Sequence, residues 1–96
     1  MWSMVIGRDA RRAQRQPRVA ELFGKDASVA QDVLELLELA WHDCYGEVTP
    51  PDRVMDDILL CSGGDLAQLV YTAKMAVHDW RDLRVWADDL RGGQAR

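Results

Sequence analysis

The sequence predicts an all-α fold, a small helical bundle of three main helices plus a short N-terminal helix. Three observations lead there. Apolar residues recur at steps of three and four along most of the chain. Glycines and prolines punctuate that rhythm at intervals of a helix length, at Gly24, Gly46, Pro50-Pro51, Gly63-Gly64 and Gly92-Gly93. No run alternates with period two between turn residues, as a half-buried strand would.

Residues 1–16 read as a basic N-terminal arm, flexible or helical, in which Arg8, Arg11, Arg12 and Arg15 share one helical face. Residues 17–96 read as the helical domain. Pro17 suits the first position of a short helix whose apolar side is Val19, Leu22 and Phe23, ended by Gly24. Ser28 and Gln31 form an S-x-x-Q capping box for the next helix, which runs to Gly46. Val33, Leu37, Ala40 and Cys44 line one of its faces, flanked by Leu34, Leu36, Trp41 and Tyr45. Glu35, Glu38 and His42 fall opposite, on an expected solvated face. Thr49-Pro50-Pro51-Asp52 predicts a new helix start, and Val54, Met55, Ile58, Leu59 and Cys61 give that helix its apolar side. Ser62-Gly63-Gly64 ends it. Asp65 and Gln68 open the last helix, whose main stripe is Leu66, Leu69, Ala73, Ala76, Trp80, Leu83, Ala87 and Leu90. As one rod over residues 66–91 it would be ~39 Å long, stopped by Gly92-Gly93.

The chain has 96 residues, 48% hydrophobic and 29% charged, which suits one globular domain. Nothing approaches the ~20 consecutive apolar residues of a membrane span, and a cytoplasmic location is expected. Composition suggests a GC-rich bacterial source. The net charge of −4 hides an asymmetry: residues 1–25 carry six basic and two acidic side chains, and the remainder six basic and fourteen acidic. The basic stretch raises the alternative of a nucleic-acid-linked regulator using Arg8, Arg11, Arg12 and Arg15. No recognition motif accompanies it, and the acidic remainder repels phosphate. Cys44 and Cys61 are both expected as buried reduced thiols.

Two His-Asp dipeptides, His42-Asp43 and His78-Asp79, invite a catalytic reading. Adjacent residues on a helix point ~100° apart, so neither pair chelates unaided. Glu35, Glu38 and His42 could serve a metal only if they faced inward with partners from another helix. A small metal-dependent hydrolase using His, Asp and Glu is therefore the remoter alternative. No catalytic residue, metal or cofactor is expected. The feature above background is a second stripe on the last helix: Tyr71, Met75, His78, Asp82 and Trp86. Aromatics placed opposite a core stripe fit a partner-binding face. The expected function is thus a small helical interaction protein, self-associating as a homodimer or docking a protein partner. Met1–Ile6 offers a further apolar segment to cover that stripe.

Overall fold

The computed structural model describes residues 7–94, with only the backbone of Gln94. The elements are α1 (Arg8–Phe23), a 3-10 turn (Gly24–Asp26), α2 (Ala27–Tyr45), α3 (Asp52–Ser62) and α4 (Leu66–Gln94). The described residues contain no strand, so the fold is all-α, as expected. Among them no helix is long and apolar enough to cross a membrane. The expected covering role of Met1–Ile6 lies outside the described residues.

α1 and α2 form an antiparallel hairpin. α1 begins at Arg8 and passes straight through Pro17, so no element boundary falls at residue 17. Proline inside a helix removes a hydrogen bond and crowds the preceding turn. Two features hold α1 together across that defect. The Gln31 amide donates to the Arg12 carbonyl at 2.8 Å, one residue before the carbonyl that Pro17 leaves without its helical donor. The arginines of the same turns are clasped by carboxylates of α2. Gln31 therefore does not complete a capping box. α2 starts at Ala27, Asp26 makes no side-chain cap bond, and Gln31 is fully buried, donating also to Gln16 Oε1.

Gly46 ends α2 as expected, in the left-handed region at φ 76°, its N–H returning to the His42 carbonyl at 2.8 Å. The next helix starts two residues later than a Thr49 cap would place it. Pro51 occupies the N-cap of α3, its carbonyl accepting from Val54 and Met55, and no side chain caps. Gly63 and Gly64 both have positive φ in the turn to α4. Asp65 caps α4 as predicted, accepting the Gln68 N–H at 2.8 Å.

α4 is not one rod. Asp79 has φ −159° and ψ 92°, and the helix breaks there. The Tyr71 and Trp86 ring centroids are 6.4 Å apart, edge to face. Fifteen residues of straight helix would separate their Cα atoms by about 22 Å, too far for two side chains to close. The arms 66–78 and 80–94 therefore meet at a bend that brings Tyr71 and Trp86 together. Asp79 Oδ1 accepts the Arg81 N–H at 3.0 Å, so this aspartate restarts the helix as an N-cap. Gly92 and Gly93 remain within the helix rather than stopping it.

The core lies between all four helices. α1 contributes Val19 and Phe23; α2 contributes Ala30, Leu34, Leu37 and Trp41; α3 contributes Val54, Met55, Ile58, Leu59 and Cys61. Both arms of α4 turn the predicted stripe inward through Leu69, Ala73, Ala76, Leu83 and Ala87. Trp80 packs against the edge of that cluster, half-buried. Cys44 is exposed rather than buried; Cys61 is buried as expected, and both are free thiols. Burial and the charge of Asp57, partly offset by Arg91, push the Cys61 thiol up to about 11.

Candidate interaction site

Arg11, Arg12 and Arg15 of α1 face α2, while Arg8 stays 66% exposed and Arg18 reaches Asp56 of α3. Arg11 Nε lies 2.6 Å and Arg15 Nη1 3.1 Å from Glu38 Oε2. Arg12 bridges Asp32, at 2.9 Å, and Glu35, and Arg8 also reaches Glu35 at 3.6 Å. Glu38 is only 4% exposed, which corrects the solvated face expected for it. The Arg spacing of i, i+3, i+4, i+7 meets carboxylates spaced i, i+3, i+6 on α2, and the two faces neutralise each other. Burial pushes the Glu38 carboxyl up. Hydrogen bonds from Arg11, Thr49 and Arg15, with the field of Arg15, outweigh that and hold it below the ordinary glutamate range. Arg12 holds its proton more tightly than usual through its hydrogen bonds to Asp32 and Glu35.

Glu35, Glu38 and His42 do line one depression of about 500 Å³, together with Arg8 and Arg11. Glu35 and Glu38 are already engaged by guanidinium groups. Among the described residues no group of three or more His, Cys, Asp or Glu side chains is gathered as a metal would need.

The expected partner stripe is rearranged by the break at Asp79. Tyr71 and Met75 lie on the first arm and Trp86 on the second; Tyr71 and Trp86 meet within the chain. Met75 and Trp86 pack against the core, while Tyr71 stays about half exposed. His78 and Asp82 flank the bend and are exposed. The five residues are thus divided between two arms rather than set along one straight helix.

The apolar surface that sequence reasoning missed lies beside it, between α2 and the first arm of α4. A groove of about 270 Å³ is lined by Val33, Leu36, Leu37 and Ala40 from α2, and by Val70, Ala73 and Val77 from α4, with Lys74 and His78 at its rim. Leu36 is 67% exposed, Leu39 62% and Val29 51%. Val29, Val33, Leu36 and Ala40 follow the 4-3-4 spacing of a helix-packing seam. That signal was present in the sequence. The richer stripe of Leu34, Leu37 and Trp41, which faces the core, obscured it. The Tyr45 hydroxyl closes one end by donating to the Val77 carbonyl at 2.8 Å. Leu69 and Thr72 anchor the α4 wall from behind, the Thr72 hydroxyl donating to the Ile58 carbonyl at 3.2 Å. The groove is therefore a pre-formed slot between two fixed helices, apolar along its floor and cationic at one rim. Comparison of the chain with protein families, with characterised proteins and with solved structures finds no match.

Proposed function

We propose that this chain is a small, non-catalytic helical interaction protein that docks an amphipathic helix in the groove between α2 and the first arm of α4. The observation that carries the reading is the apolar seam of Val29, Val33, Leu36 and Ala40 beside Val70 and Val77, in which Val29, Leu36 and Val70 are exposed and the others half-buried. Contiguous apolar surface on a soluble domain marks a contact site, and a two-helix groove with apolar positions at helical spacing fits a third helix. Lys74 and His78 at the rim favour an acidic flank on that helix. Nucleic-acid binding through α1 has less support, because Arg11, Arg12 and Arg15 already hold carboxylates of α2.

The test is titration of 13C-methyl-labelled protein with a synthetic acidic amphipathic helix of leucine and glutamate. The methyl groups of Val33, Leu36, Val70 and Val77 are expected to shift, and Val70→Glu, at an exposed position, should abolish the shifts. Shifts confined to residues outside the groove, or none at all, would refute the reading.

A further inference from the structure

We infer that the helix occupying the groove is α2 of a second copy of this chain, the two copies being related by a two-fold axis; this rests on the groove being a docking site. The face is complementary to itself. It carries a slot, and along the same slot it carries a ridge, with Leu36 standing 67% exposed at the lip and Val29 and Leu39 beside it. A two-fold interface uses one patch twice, so each copy must present both the ridge and the slot that receives it. This patch does so. A partner with only a ridge would leave Leu36, Val29 and Leu39 of this chain in water.

The charges are complementary in the same way. The slot is edged by Lys74 and His78. The ridge is flanked by acids on its far side, Asp32 one turn before Leu36 and Asp43 two turns after it. Asp43 and Lys74 are exposed and have no ion-pair partner among the described residues. Asp32 holds Arg12, yet its side chain remains 68% exposed. Bringing the ridge of one copy into the slot of the other therefore sets acids against the cationic rim, twice per dimer. Such pairs guide register and exclude wrong partners more than they add affinity, while the buried leucine and valine side chains supply the attraction.

The experiment is sedimentation and light scattering of the full chain from 1 to 100 μM. The mass should rise from 10.9 kDa toward twice that value. Leu36→Asp and Lys74→Glu each change exposed side chains, so helicity by circular dichroism should hold while association weakens at least tenfold. The charge argument has a sharper arm. Lys74→Glu alone and Asp32→Lys/Asp43→Lys alone should each stay monomeric, and an equimolar mixture of the two should recover dimer, because one contact is then native and the other is restored with its signs exchanged. A wild-type mass fixed at 10.9 kDa up to 100 μM overturns the inference. So does a dimer indifferent to Leu36→Asp, or a mixture that fails to recover. A monomer whose groove methyls still shift with the leucine-glutamate helix overturns the second copy while leaving the docking groove standing. A chain that dimerises only after removal of residues 1–6 also overturns it, by making the chain's own N-terminus the occupant.

Discussion

Asp57 is 1% exposed, and replacing it should weaken the molecule more than any other single charge. It sits on α3 with Arg84 Nε at 2.6 Å from Oδ2 and Arg91 Nη2 at 2.8 Å from Oδ1. The first is an aligned hydrogen bond. The second is held by charge, since Oδ1 has no well-directed donor. Both arginines come from the second arm of α4, so this carboxylate is what fastens that arm to α3. Removing one member of a buried pair costs about 3–5 kcal/mol, because the remaining charge is left desolvated. Arg84 is 25% and Arg91 43% exposed, so both can turn partly to water, which places Asp57→Ala near the lower end, about 3 kcal/mol. For a domain of this length that corresponds to a fall of about 12–24 °C in Tm. Urea melts followed by circular dichroism give the total. Hydrogen exchange locates it: amides of Leu83 and Ala87 should lose protection before those of Leu34 and Leu37. A second variant separates charge from packing. Asp57→Leu with Arg84→Met replaces the buried pair by apolar contact and should return to within about 1 kcal/mol of the native chain. A loss below 1 kcal/mol for Asp57→Ala would refute the reasoning, as would exchange that speeds up equally in α2 and in the second arm.

Gly64→Ala should cost about 2–3 kcal/mol by thermal melting, since φ is +80° and the new Cβ would stand 2.4 Å from the Leu22 carbonyl oxygen of α1. Gly63→Ala, with φ +61° but open space around it, should lose only about 1 kcal/mol; equal losses would show that the contact with α1 does not matter. Glu38 is held below its ordinary value of 4.5, so its contribution is complete above that pH and falls away as acid protonates the unfolded chain first. Glu38→Gln should flatten the acid limb of a stability-versus-pH curve, and an unchanged limb would exclude Glu38 as its source. At pH 8 an aromatic disulfide reagent should titrate one thiol quickly, the exposed Cys44, and the second only in urea, because Cys61 is buried with its thiol raised to about 11; two fast equivalents would contradict the packing around Cys61.

The boundaries that could be read from the sequence were those written in backbone chemistry. Gly46 and Gly63 stop helices because they reach positive φ, and Asp65 starts one because its carboxylate meets a free N–H. The core stripe of α4 was equally legible, since Leu69, Ala76, Leu83 and Ala87 keep their spacing on both arms. What failed was anything decided between elements. Pro17 reads as a helix start by local rules, and only the Gln31 amide and the carboxylates of α2 explain why α1 continues upstream of it. Glu38 reads as solvated because the Arg face that buries it belongs to another helix. The bend at Asp79 has no glycine or proline nearby. Its one local sign is an Asp able to cap residues 80–82, and that sign is common inside ordinary helices. The groove escaped for a related reason. Leu36, Val70 and Val77 are unremarkable singly, and only the placement of α4 beside α2 makes them one surface.

The break at Asp79 confines the choice between two shapes to a single residue. Turning its φ and ψ to helical values would draw α4 out into a rod of about 43 Å over its 29 residues. Asp57 would then face no arginine, and Leu83 and Ala87 would lie in water. The bent form is held by contacts that exist only once the chain has turned: Arg84 and Arg91 on Asp57, and Tyr71 against Trp86. Substitutions at the bend itself thus have less influence on shape than substitutions five to twelve residues along either arm, about 8–18 Å of helix. The instruction to bend is held along the arms of the lever.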